Sequence, residues 1–187
     1  YYSMTFRNAE ESHKHSQLIL EAIQEYDDFM ESIESVVDLG CGAGLDLEWW
    51  ATRTVRDDAS QPLNIRCMGV DLADSLPMAR RYKNITYQSV DFETSIAIHK
   101  SKFDILWSHD SFQYCLNPIK TLANWRTIAS KNASLVISVP TTISFDHNKQ
   151  QISQSSNEFY HHSLISLIHM LAISGWDCKH GYFLKQA

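Results

Sequence analysis

Val36-Val37-Asp38-Leu39-Gly40-Cys41-Gly42-Ala43-Gly44 is the stretch that decides how this chain folds. Apolar residues run into one acidic residue, glycines then recur at every second position, and a helical pattern starts at Leu45. That order predicts a buried strand, a tight turn and a helix N-terminus. Glycine is required where the backbone takes φ > 0 or must come close to a ligand. The start of a helix offers unpaired N–H groups and the positive end of its dipole. Asp38 adds a fixed negative charge at the strand's carboxyl end, which suits an ammonium or a hydroxyl better than a phosphate.

The glycine spacing separates two readings. A dinucleotide fingerprint needs Gly-x-Gly-x-x-Gly. Here the third glycine comes one residue early, at Gly44, and the fingerprint position holds Leu45. A nicotinamide-dependent oxidoreductase is therefore disfavoured.

Size and composition bound the rest. A length of 187 residues, 44% hydrophobic and 20% charged, suits one globular domain with a sizeable core. The expected division is an N-terminal segment and helix over residues 1–32, covering the site, and a sheet core over 33–187. A net charge of -6 argues against a protein that lives on phosphate backbones. The short basic knot Arg80-Arg81-Tyr82-Lys83 reads as a solvated helix end. No apolar run is long enough to span a bilayer, and no leader pattern opens the sequence. Cys41, Cys67, Cys115 and Cys178 are scattered without Cys-x-x-Cys spacing, which reads as reduced thiols in a cytoplasmic protein. The nine histidines show no metal-helix pattern, so no metal is expected.

Taken in order, helical spacing runs from Glu11 to Met30 through Leu18, Ile19, Ala22, Ile23 and Tyr26. The first strand and the glycine turn follow, then a helix over Leu45 to Val55 and a polar loop over Asp57 to Asn64. Strands are expected at Ile65–Val70, Ile85–Val90, Phe103–Ser108, Ser134–Val139 and Trp176–Leu184. Helices are expected at Ser75–Lys83, Ile119–Ser130 and Leu164–Ile173, with a turn or two over Thr94–Lys100. The polar stretch Thr141 to Asn157 reads as a mobile lid. Strands alternating with helices predict an α/β fold: a doubly wound, mostly parallel, Rossmann-like sheet with helices on both faces.

In such sheets ligands sit at the carboxyl ends of the strands, near the topological switch. The second strand ends in Asp71, whose carboxylate can accept both hydroxyls of a ribose. The third ends in Asp91-Phe92, where a carboxylate can accept from an adenine amine. The fourth ends in Ser108-His109-Asp110-Ser111. An aspartate after a strand is often only a turn former or cap, but three in a row beside a glycine turn point to one ligand.

With these residues in view, the chain resembles the class I S-adenosylmethionine-dependent methyltransferases of the broad type 11, or ubiquinone-biosynthesis-like, group. The resemblance covers about residues 33–140 by motif. Asp38, Gly40, Gly42 and Gly44 match the first motif of that family. The resemblance implies that Asp38, Leu39, Gly40, Cys41, Gly42 and Gly44 hold the methionine part of S-adenosylmethionine. It gives Asp71 and Leu72 the ribose, and Asp91 and Phe92 the adenine. Phe103-Asp104-Ile105-Leu106-Trp107-Ser108-His109 is similar to the strand lining the methionine end, which adds Ser108 and His109 to the cofactor set. Two features differ. Ser130-Lys131-Asn132-Ala133 stands where the group usually has Pro-Gly-Gly. The family's final antiparallel strand has no counterpart before Lys185-Gln186-Ala187, so the sheet lacks it or it lies beyond these residues.

The acceptor is narrowed by elimination. Nucleobase amine methyltransferases carry Asp/Asn-Pro-Pro-aromatic after the fourth strand, and this chain does not. No proline precedes a cysteine, as cytosine-C5 chemistry needs; the loop after the fourth strand lacks the paired glutamates of arginine methyltransferases, and the Asp-Asn metal cluster of catechol-type enzymes is missing. A small-molecule or peptide-type acceptor remains, and of these a small-molecule O or N acceptor is expected. His109 is placed to act as a general base with Asp110 orienting it, or it lines the pocket by packing alone; the sequence leaves both open. Tyr2, His13, His15, Tyr114, Thr141, His147 and His161 are further candidates for the acceptor pocket. The competing class is a non-catalytic S-adenosylmethionine-binding subunit that supports a partner, or pairs with a second copy, along an open sheet edge.

Overall fold

In the computed structural model, the described residues are 6–24, 32–55, 58–74, 76–94, 102–139, 144–146, 151–153 and 162–178. The centre is β1 (Ser35–Leu39), buried at every position. The β-branched pair Val36-Val37 favours an extended strand that packs on both faces. β4 (Arg66–Asp71) and β6 (Phe103–His109) flank β1 in parallel. β5 (Ile85–Ser89) lies outside β4, and β7 (Ala129–Ser138) outside β6, again parallel. The order is thus β5-β4-β1-β6-β7. From β1 the chain winds outward to β5, returns across the sheet, and winds outward again to β7. The reversal falls between β1 and β6, and a crevice opens there at the strands' carboxyl ends.

Helices cover both faces, as the strand–helix alternation predicts. α1 (Phe6–Gln24) and α2 (Leu45–Ala51) lie on one face, where Leu20, Val36, Leu47, Trp50, Ile105 and Trp107 form a core. α4 (Pro118–Ile128) and α5 (Leu164–Ile173) lie on the other, over Val37, Leu39, Leu106, Phe112, Leu122 and Trp125. A short α3 (Met78–Arg81) precedes β5. Val36 and Val37 pack into opposite cores because successive strand side chains alternate. Each fully buried Leu contributes about 1.5–3 kcal/mol.

Several boundaries differ from the expectations. The helix after the glycine turn stops at Ala51, not Val55. Thr52 caps it by giving its hydroxyl to the Glu48 carbonyl at 2.9 Å. Thr54–Val55 then pairs antiparallel with Asp58–Pro62, so β2 and β3 form a ribbon where a loop was expected. Two β-branched residues, Thr54 and Val55, prefer the ribbon to a third helical turn. Ser75–Lys83 shortens to the single turn of α3, after Pro77. α4 starts one residue early because Pro118 fits the first turn and Asn117 caps it, accepting from the Lys120 N–H at 3.1 Å. It ends at Ile128, and Ala129 already belongs to β7. Within the expected lid, Ser144–Asp146 (β8) and Gln151–Ser153 (β9) pair as an antiparallel ribbon. Trp176–Cys178 is not a strand, and the rest of the expected sixth strand, the turn over 95–100 and residues 25–30 of the first helix lie outside the described residues. Among the described residues no helix is long and apolar enough to cross a membrane.

Candidate functional site

The glycine turn is built by backbone alone. Gly40, Gly42 and Gly44 take φ of 87°, 49° and 80°. The N–H groups of Gly40 and Cys41 both donate to the Val70 carbonyl, at 2.8 and 3.1 Å, which pins the turn to β4. Gly44 is the N-cap of α2. Gly40 has a second constraint: a Cβ there would stand 2.4 Å from Ser111 Cβ. Ser111 is fixed in turn, donating to the Leu39 carbonyl at 2.6 Å and sharing a 2.7 Å hydrogen bond with Ser108. Gly69 was not marked by the sequence reading. A Cβ on it would meet Leu47 Cδ1 at 2.7 Å and Cys41 Sγ at 2.8 Å, so its bareness lets the turn sit flush on β4.

Asp38 is 3% exposed beneath this turn. Among the described residues no donor reaches its carboxyl. Burial pushes its pKa well above the ordinary carboxylate value, and the charges of Asp46 and Asp71 push the same way. A buried carboxyl facing a cleft without a counter-charge fits a cationic group such as an amino-acid ammonium. Asp71 ends β4 and accepts from the Gly42 N–H at 2.9 Å and the Ala73 N–H at 3.3 Å. Both carboxylate oxygens are thereby oriented, and each keeps a lone pair for a hydroxyl. Asp91 closes a turn after β5, accepting from the Glu93 N–H at 2.9 Å. Phe92 Cε1 lies 3.5 Å from where a Gly40 Cβ would be, beside the turn.

The end of β6 carries the remaining groups. Ser108 is 1% exposed and spent on Ser111. Leu39 is fully buried in the core, while Leu72 is 67% exposed. His109 is boxed: its Nδ1 is 3.9 Å from Asp46 Oδ2 and its Nε2 3.8 Å from Asp110 Oδ2. Asp110 takes φ of 49°, a left-handed conformation that aspartate tolerates better than most residues.

Asp46 was missed by the sequence reading. It sits in the first turn of α2, where a carboxylate complements the helix dipole. It is 8% exposed and meets three polar groups from two elements. His13 Nδ1 of α1 lies at 2.6 Å, the Ser16 hydroxyl at 2.5 Å, and Trp107 Nε1 of β6 at 2.9 Å. The available signal was an acidic residue at the helix start with polar His13 and Ser16 one turn apart on an amphipathic helix. Asp46 therefore fastens α1 over the glycine turn.

These residues line a cleft that is open to solvent and has a cavity volume of about 60 Å³. Asp38, Gly40, Cys41, Gly42, Gly44, His109 and Asp110 line it, joined by Ala43, Leu45, Asp46 and His13. Leu39, Asp71, Leu72, Asp91, Phe92 and Ser108 do not. Burial and the neighbouring Asp38 push the Cys41 thiol well up, so it stays protonated. Among the described residues no group of three or more His, Cys, Asp or Glu is placed to hold a metal ion. Of the other candidates for an acceptor pocket, His15 is exposed and Tyr114 half-buried, while Tyr2, Thr141, His147 and His161 lie outside the described residues.

Comparison with known proteins agrees with this architecture. Residues 10–180 match a family model described as a methyltransferase domain. No curated protein matches the chain. Among solved structures, the methyltransferase in a complex with the Haloferax volcanii Trm112 methyltransferase activator is similar, with a TM-score of 0.61 and 17% identity, over 89% of this chain and 72% of that one. An S-adenosylmethionine dependent methyltransferase from Mesorhizobium loti gives 0.55 and 18%, over 75% and 73%. The 1,6-didemethyltoxoflavin-N1-methyltransferase of Burkholderia thailandensis, solved with its substrate and S-adenosylhomocysteine, gives 0.53 and 16%, over 75% of this chain and 59% of that one. The family match spans most of the chain, and the open parallel sheet with helices on both faces agrees with it. The chain belongs to the class I S-adenosylmethionine-dependent methyltransferases.

Proposed function

We propose that this enzyme methylates an oxygen or nitrogen of a small molecule. The observation that carries the reading is the cleft itself. Its floor is the glycine turn with Asp38, and its far wall holds two imidazole–carboxylate contacts, His13–Asp46 and His109–Asp110. The Burkholderia enzyme, solved with bound 1,6-didemethyltoxoflavin, supports the same class.

S-adenosylmethionine supplies a sulfonium-activated methyl group. Asp38 would hold its ammonium, the turn N–H groups its carboxylate, Asp71 with Leu72 its ribose, and Asp91 with Phe92 its adenine. Leu39 and Ser108 keep the turn and the end of β6 in place rather than touching the ligand. His109 and Asp110 line the same cleft, and their proposed role would be to keep the acceptor atom in line by hydrogen bonding. We place the enzyme in the cytoplasm, on its four free cysteines. If it works with a partner subunit or a second copy, the contact we propose is an end strand of the sheet, β5 or β7 among the described residues.

Two measurements test this. The purified chain, given S-adenosylmethionine and a protein-free metabolite extract, should release S-adenosylhomocysteine; the absence of release with every fraction would leave a binding subunit instead. Calorimetry with S-adenosylhomocysteine tests the ribose assignment. Asp71→Asn should weaken binding about tenfold, the low end of the ~1.5–3 kcal/mol for a hydrogen bond to a charged group, because the amide oxygen still accepts one hydroxyl. Unchanged affinity would remove Asp71 from the ribose.

A further inference from the structure

We infer that His13, oriented by Asp46, is the base that takes the acceptor's proton; this rests on the methyl-transfer reading. The site holds two imidazoles, and they differ in how they are held. His109 has a carboxylate opposite each ring nitrogen, and its side chain is only 6% exposed. His13 has one nitrogen committed and one available. Its Nδ1 is 2.6 Å from Asp46 Oδ1, and its side chain is 20% exposed in the wall of the cleft. Among the described residues its Nε2 meets only the exposed Gln17 amide, at 3.4 Å.

The carboxylate decides the tautomer. Asp46 is a pure acceptor when ionised, so the nitrogen facing it must carry a hydrogen. In the neutral ring this leaves the lone pair on Nε2, the nitrogen away from Asp46. Asp46 is itself locked. The Trp107 indole at 2.9 Å and the Ser16 hydroxyl at 2.5 Å hold its two oxygens from the core side. A base oriented by a fixed carboxylate is the arrangement that makes proton transfer effective. Asp46 acts here through His13 and is a positioning residue.

The acceptor atom forms a bond to the methyl carbon while the carbon–sulfur bond breaks. The bonding pair stays on sulfur, giving neutral S-adenosylhomocysteine. The proton leaving the acceptor atom goes to His13 Nε2, and the imidazolium is stabilised by Asp46. The proton then passes to solvent at the open mouth of the cleft.

The test uses the full chain with the metabolite extract as acceptor source. His13→Gln keeps an amide that can donate to Asp46 but offers no basic nitrogen. It should lower the rate of S-adenosylhomocysteine release about 10²–10⁴-fold at saturating donor. Its affinity for S-adenosylhomocysteine and its melting temperature should stay close to those of the unaltered chain. A rate within a few-fold of the unaltered chain would overturn the assignment while leaving methyl transfer intact. If the unaltered chain itself releases nothing, methyl transfer fails, and the base role fails with it.

An independent readout needs no turnover. Nitrogen-15 spectra of the imidazole rings should show His13 with its hydrogen on Nδ1, and Asp46→Asn should shift that ring toward the Nε2–H form. A purely structural Asp46 would lower the melting temperature without moving the His13 tautomer. Finding the hydrogen on Nε2 in the unaltered chain would overturn the proposal whatever the rates are.

Discussion

Gly40→Ala is expected to cost about 2–6 kcal/mol, the sum of about 1–3 for a strained backbone and about 1–3 for overpacking. Both terms come from one position. The backbone there has φ of 87°, outside the range that L residues adopt comfortably. The new Cβ would sit 2.4 Å from Ser111 Cβ and 2.9 Å from its Oγ. Ser111 cannot move aside cheaply, since its hydroxyl is bound to the Leu39 carbonyl at 2.6 Å and to Ser108 at 2.7 Å. The damage is local to the cofactor turn, so binding of S-adenosylhomocysteine should be lost before the sheet melts. Urea unfolding measures the stability, and calorimetry the binding. The two terms are separable: on a Ser111→Gly background, where the lost Ser111 hydrogen bonds are common to both chains, Gly40→Ala should cost less by the packing part, about 1–3 kcal/mol, and keep the strain. If Gly40→Ala alone melted within a degree of the unaltered chain, the tight approach of the turn to Ser111 would be wrong.

The same residue shows what the sequence made legible. Gly40, Gly42 and Gly44 announce a turn because glycine's conformational freedom is a property of the residue itself. The alternation of strands with helices announces the parallel sheet for a similar reason, since each period is local. The strand ends at Asp71 and His109 follow from that topology. What was not legible depended on partners distant in sequence. Asp46 looks like one more acid at a helix start until α1 brings His13 and Ser16 to it across about thirty residues. Gly69 reads as an ordinary strand glycine until Leu47 and Cys41 arrive above it. The ribbon of Thr54–Val55 with Asp58–Pro62 was missed because a helical stripe was carried past its cap at Thr52, where local β-branching overrides it.

Asp38→Asn is expected to move cofactor affinity and stability in opposite directions. In the folded chain, burial beneath the glycine turn raises the carboxyl's pKa well above 3.8, and Asp46 and Asp71 add to the rise. The folded chain therefore keeps this proton to higher pH than the unfolded chain does. Between the two values the folded state binds more protons, so its stability falls as pH rises through that window. Below the unfolded value nothing is lost; above the folded value the full cost of a buried charge remains. Asparagine never ionises, so the ligand-free variant should melt higher than the unaltered chain at the top of that window and equally at its acid end. Affinity goes the other way. If Asp38 holds the donor's ammonium, losing that charge-assisted contact should cost about 1.5–3 kcal/mol, a loss of roughly ten- to hundredfold in affinity. There is also a proton to count. Below the raised pKa the unaltered chain must release the Asp38 proton when the ammonium docks, and the variant has none to release. Calorimetry in two buffers of different ionisation enthalpy measures that number directly. A variant that bound S-adenosylhomocysteine as tightly as the unaltered chain, with the same proton release, would show that the ammonium sits elsewhere and that Asp38 serves only to shape the turn.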